Sequence, residues 1–146
     1  MSELINTTLE ELKQGFVYDG EKGAFICSIC GKAFDEEEVY PSGERFLTAK
    51  RAVKTHIAAE HGDLFAILCG FDKRYTGLTP NQRELLTLMH AGLSDAQIAS
   101  RMGVTASTVR HQRFTFRERA KQARMYLAIY ELACEGNAEE ELIEIP

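Results

Sequence analysis

Apolar positions between Leu78 and Glu135 fall at helical spacing in three successive runs. The first opens at Thr79-Pro80, a cap followed by a first-turn proline; Leu85, Leu86 and Met89 form one apolar face, and Gly92 ends it. In the second, Ser94 or Asp95 is the cap, Ile98, Ala99 and Met102 recur at the helical period, and Gly103 supplies the left-handed position that a tight turn requires. Thr105 or Ser107 caps the third, in which Val109, Phe116 and Ala120 share one face and Arg110, His111, Phe114 and Arg117 the other. No glycine or proline interrupts Val104 to Cys134, so the pattern predicts one long helix, or two nearly fused, from about Ala106 to about Glu135. Its second half, Met125 to Cys134, is apolar nearly all round and must be covered by something.

Ahead of Leu78 the pattern is mixed. Phe16-Val17-Tyr18 and Ala24-Phe25-Ile26 flank a polar, glycine-bearing segment and predict a hairpin. The stretch from Asp35 to Thr48 begins with four acids and predicts two short strands around a Pro41-Ser42-Gly43 turn. Thr48 to Gly62 reads as a capped helix with a glycine end. The fold class expected is mainly α: a small α+β domain over 1–70, a linker over 71–77, an all-α domain over 78–135 and an acidic tail over 136–146. That tail has no core of its own; it reads as a flexible end, an acidic strip competing for the basic helix, or the start of a linker to a further domain.

Charge sharpens the division. The 146 residues carry a net charge of −5, which counts against a nucleic-acid partner until its distribution is considered. From Thr79 to Met125 eight basic residues stand against three acids, while both ends of the chain are acidic, so a basic stripe is confined to the third helical run. No apolar run approaches membrane-spanning length, and the N-terminus has no apolar signal core. Four cysteines in such a chain point to a reducing, cytoplasmic setting, where a close Cys pair is a metal site or a redox motif more often than a disulfide.

Cys27 and Cys30, followed by His56 and His61, supply two thiolates and two imidazoles, a set suited to tetrahedral zinc. The histidines are five apart, so the helix carrying them should loosen or tighten locally to aim both rings at one ion. With four protein ligands no position is left for water activation, and the zinc is read as structural. Two other readings of these residues stand beside it: a Cys-x-x-Cys redox pair, and ordinary helix histidines with Cys69 completing a different ligand set. Phe25, Phe34 and Val53 flank the ligands in a pattern that resembles the core of a two-Cys two-His zinc finger, but 18 residues separate Phe34 from Val53, more than in the familiar finger, so this one carries an insertion from Asp35 to Thr48. Lys50, Arg51 and Lys54 near the start of the finger helix suit phosphate, but a scaffold or protein-contact role is preferred, since a lone finger reads about three base pairs.

The segment LTPNQRELLTLMHAGLSDAQIASRMGVTASTVRHQ resembles the LuxR-type helix-turn-helix of bacterial regulators, in its Leu-Thr-Pro-x-x-x-Glu-Leu opening, Ala-Gly-Leu-Ser turn, Ile-Ala pair and Thr-Val-Arg start of the third helix. About a third of the chain is covered, and the likeness breaks where that family places a glycine loop and a separate fourth helix. The resemblance implies a sequence-specific transcriptional regulator of duplex DNA whose third helix enters the major groove. Arg110 is the candidate for a guanine edge, with Ser107, His111 and Phe114 on the same face, while Thr105, Thr108, Arg113, Arg117 and Lys121 are candidates for phosphates. In that family the last helix makes the dimer contact, which makes Tyr126, Leu127, Ile129, Tyr130 and Ala133 candidates for a homodimer; packing on the N-terminal domain is the alternative. The opposing function is a zinc-stabilised adaptor contacting RNA polymerase or another regulator. No Ser-His-Asp set, phosphate loop or open metal site suggests an enzyme.

Overall fold

The structure is a computed structural model that describes residues 4–143, with side chains through residue 135. It is mainly α, with a small β region near the N-terminus and a long C-terminal helix, and it divides into two compact units between Leu78 and Thr79. Among the described residues no helix is long and apolar enough to cross a membrane.

The first unit begins with a 3-10 turn, Leu4–Asn6, and a short helix α1, Leu9–Gln14, capped by Thr8. Three strands follow: β1 (Phe16–Asp19), β2 (Ala24–Cys27) and β3 (Ala33–Asp35), antiparallel in the order β1-β2-β3. The expected hairpin is β1-β2, in register Phe16 with Cys27 and Asp19 with Ala24. Strand β3 was not legible, because three residues beside a cysteine turn carry no alternation of their own; it forms by pairing Phe34 with Phe25 across β2.

The insertion forms a hairpin of β4 (Tyr40–Ser42) and β5 (Arg45–Leu47), but its turn lies one step later than expected. Pro41 and Ser42 are strand residues, paired with Phe46 and Arg45, and the chain reverses at Gly43-Glu44, with Gly43 at φ 62. A two-residue reversal needs the left-handed backbone that glycine supplies, and a two-stranded ribbon has open edges on which a proline is tolerated. Helix α2 (Ala49–His56) is capped by Thr48, whose hydroxyl accepts the Arg51 N–H, and it packs on β2 and β3. Phe16, Cys27, Phe34, Ala49, Ala52, Val53 and Ile57 form the core of the unit. Two further helices, α3 (Leu64–Cys69) and α4 (Lys73–Thr76), complete it, α4 being one turn within the segment expected to be a linker.

The second unit is built from α5 (Pro80–His90), α6 (Asp95–Met102) and α7 (Ala106–Ile143). Thr79 and Ser94 each form a reciprocal capping box, with Gln82 and Gln97, so both helix starts are satisfied locally. Between α6 and α7 Gly103 stands at φ 68, and its N–H donates to the Ala99 carbonyl. Leu85, Ile98, Ala99 and Val109 are the buried centre, with Leu88, Met89, Leu93, Met102, Ala106 and Phe116 packed around them. Helix α7 is a single element, as the absence of breakers predicts, but it runs on to Ile143 instead of stopping near Glu135. One glycine, Gly136, costs only about 1 kcal/mol against alanine and does not end a helix that its neighbours favour. Part of the expected tail is therefore helical; its side chains and residues 144–146 lie outside the described residues.

Candidate metal centre and basic helix face

The four predicted ligands converge. Cys27 closes β2, and a tight turn to Cys30 follows, in which the Gly31 N–H donates to the Cys27 carbonyl at 2.8 Å and the Cys27 N–H to the Lys32 carbonyl at 2.9 Å. His56 is the last residue of α2. The next five residues, Ile57–His61, widen into a π turn in which the Gly62 N–H reaches back to the Ile57 carbonyl at 3.0 Å. The extra residue per turn brings His61 onto the same side as His56, with ring centroids 4.9 Å apart. Of the two adjustments that a five-residue spacing allows, the helix loosens.

The ligating atoms of Cys27, Cys30, His56 and His61 all lie within 4.8 Å of one another. The Cys30 Sγ is 3.2 Å from His56 Nε2, which is itself 3.2 Å from His61 Nε2. Tetrahedral coordination at zinc bond lengths would separate such atoms by about 3.3 to 3.8 Å, so small adjustments bring the set onto one ion. Cys69 is buried in the first unit and belongs to no such cluster among the described residues.

Local electrostatics suit a cation. Burial raises the Cys27 thiol above its ordinary value, although the backbone N–H groups of Cys30 and Ile29 oppose the rise by favouring the thiolate. A cation held there would favour the thiolate and so offset the effect of burial on that sulfur. Burial lowers His56, with His61 and Lys32 adding to the shift, so its imidazole stays neutral and keeps a lone pair at neutral pH. Around the ligands, the Phe34 ring packs at a tilt on His56, 5.5 Å between centroids, while Val53 is fully buried one helical turn before it.

In the second unit, Thr105 caps α7 by accepting the Thr108 N–H at 3.1 Å, and the two hydroxyls lie 2.9 Å apart. Ser107, Arg110, Phe114, Arg117 and Lys121 follow at intervals of three and four, so they make one exposed stripe with His111 beside it. Val109 and Phe116, on the other side of the helix, hold it to the core. Lys121 pairs with Glu118 at 3.0 Å within α7.

Arg113 has a different setting from the rest. It is half-buried, and its Nε donates to the Asp95 carboxylate at 2.5 Å, tying α7 to the first turn of α6. The two are 18 residues apart and no spacing rule links them; the only hint was an acid at a helix start, where the dipole favours it. Further along α7, Tyr126, Leu127, Ile129, Tyr130 and Ala133 are all exposed, as are Met125 and Leu132.

No protein-family model, curated protein or solved structure matches this chain.

Proposed function

We propose that this chain is a sequence-specific, duplex-DNA-binding transcriptional regulator of bacterial or phage origin, acting in the cytoplasm as a homodimer, in which α6, the Gly103 turn and α7 serve as a LuxR-like helix-turn-helix and zinc at the first unit is structural. The observation that carries the reading is the stripe of Ser107, Arg110, Phe114, Arg117 and Lys121, solvent-facing from the first turn of a helix whose opposite side is clamped by Val109 and Phe116. A helix held from behind with its start projecting is what major-groove entry requires. Arg110 offers the planar fork that fits guanine O6 and N7, and Phe114 an apolar surface for a thymine methyl. Thr105, Thr108, Arg117 and Lys121 surround them as phosphate donors, which orient the helix without reading sequence. Arg113 supports the reading as a positioning residue, since Asp95 already holds its guanidinium.

Zinc on Cys27, Cys30, His56 and His61 follows from the donor set, two soft thiolates and two imidazoles with no carboxylate. Bound there, the ion would contribute folding free energy to a unit with few fully buried side chains, and it would catalyse nothing.

A second reading has one observation in its favour. The exposed apolar end of α7 suits a protein partner, so the chain could be an adaptor that meets RNA polymerase or another regulator. One experiment separates the two: fluorescence anisotropy with a pool of genomic duplex fragments across a salt series, with sequencing of the bound fraction. A steep salt slope and an enriched motif are expected. A flat slope without enrichment overturns the DNA reading in favour of the adaptor.

A further inference from the structure

We propose that the exposed end of α7 pairs antiparallel with the same segment of a second copy of this chain, along a seam of Ala123, Leu127, Tyr130 and Cys134 edged by Arg124 and Glu131. The inference rests on the homodimer of the proposed function and assigns its geometry.

Three observations carry it. The first is exposure: along the seam and its edge, Tyr126 is 73%, Tyr130 57% and Leu127 41% exposed, and Ala123, Ala133 and Cys134 are exposed with them. An apolar surface of this extent on a rigid helix marks a contact with another protein surface. The second is spacing. Ala123, Leu127, Tyr130 and Cys134 are separated by four, three and four residues, the alternation of a coiled-coil seam, and Tyr126 and Ala133 widen it on one side.

The third is charge, and it chooses the occupant and the direction. Arg124 and Glu131 each follow a seam residue by one position, so both stand on the same edge of the seam, and both are exposed. Along the helix the sign reverses. From Arg110 to Arg124 there are six basic residues and one acid, whereas from Met125 to Glu135 the only charges are Glu131 and Glu135. Parallel pairing would set Arg117, Arg119, Lys121 and Arg124 beside the same residues of the other copy. Antiparallel pairing sets Arg124 beside Glu131 twice, by symmetry, and moves each run of basic residues away from the other copy's. The surface is therefore complementary to itself when turned end for end, the condition for a closed two-fold contact. Two-fold symmetry would in turn point the two α7 starts away from each other, as reading an inverted-repeat site needs.

The pairing also fixes where the cysteines lie. With Leu127 near Tyr130 of the other copy, Cys134 meets Ala123 across the seam, and the two Cys134 thiols stand about 16 Å apart along the helix axis at 1.5 Å per residue.

Sedimentation equilibrium on the full, zinc-loaded chain at low salt tests the proposal. The native chain is expected to dimerise; Arg124→Glu and Glu131→Arg each weaken the dimer by roughly tenfold, and the double variant restores it to within about threefold. Ala123, Arg124 and Glu131 are all exposed, and circular dichroism of each variant checks that the helix is intact. Under mild oxidation Ala123→Cys is expected to form a dimer cross-linked between positions 123 and 134, identified by peptide mass. A monomeric native chain, tightening by Arg124→Glu alone, or a ready Cys134–Cys134 cross-link in the native chain would each overturn the antiparallel seam. Salt-sensitive DNA binding is measured on the same samples: its loss with the dimer intact sinks the DNA reading and leaves the seam, and the reverse result does the opposite.

Discussion

Residues acquire their roles here from what holds them from behind. Arg110 and Arg113 lie three apart on one helix and look equivalent in sequence, yet one is exposed and the other is tied to Asp95. They should therefore respond differently to substitution. Arg110→Ala is expected to leave the melting temperature unchanged, to cost about 1 to 3 kcal/mol on the preferred duplex and to relax discrimination at one base position, measured by anisotropy on a panel of single-base variants. Equal losses on every duplex would show that Arg110 meets phosphate only. For Arg113, a double-mutant cycle with Asp95→Ala, read by denaturant unfolding, should return a coupling on the order of 1 kcal/mol, because the pair is only partly screened. Additive single effects would remove Arg113 from its positioning role. The faces of α7 were legible from residue spacing; the Asp95 contact was not, since two helices must pack before residues 18 apart can meet.

Among the elements, caps and breakers were the most legible features, because they act within a few residues. Thr79 and Thr48 cap their helices as expected, and Ser94 for α6 and Thr105 for α7 were each one of two residues the pattern offered. Gly103 closes α6 in the left-handed conformation, and a Cβ added there would meet no atom within 4 Å. Gly103→Ala should thus destabilise the second unit through backbone strain alone, by about 1 to 2 kcal/mol in chemical denaturation. A neutral result would mean that the turn can rearrange and that its geometry is not fixed by the glycine. At the core, Ile98→Ala removes a side chain with no exposed surface and is expected to cost about 2 to 5 kcal/mol in the same assay. Less legible were β3 and the Gly43-Glu44 reversal, both of which are decided by cross-strand partners rather than by their own residues. Helix α7 outran its expected end because one glycine is a weaker stop than the pattern suggested.

At the scale of the whole molecule, the two units draw on different sources of stability, which makes them separable by chemistry. The first has a core of Phe16, Cys27, Phe34, Ala49, Ala52, Val53 and Ile57 that includes one of the four candidate metal ligands, and the second has a core of Leu85, Ile98, Ala99 and Val109 with none of them in it. A strong chelator, or Cys30→Ser, should therefore abolish the near-ultraviolet signal of Phe16, Phe25, Phe34 and Tyr40 and the amide protection of β1 to β3, while α5 to α7 stay protected in hydrogen exchange. Loss of protection in both units together would show that the metal holds the whole chain. By itself the sequence determined the helices of the second unit, the Cys and His set of the first and the polarity of α7, because capping, periodicity, ligand type and charge are properties of residues near one another along the chain. Only the tertiary structure decided that the turn carrying the histidines loosens into a π turn, that Arg113 belongs to Asp95, and that the apolar end of α7 is exposed. Each of these depends on which distant groups share a space, and that is settled by packing rather than by order along the chain.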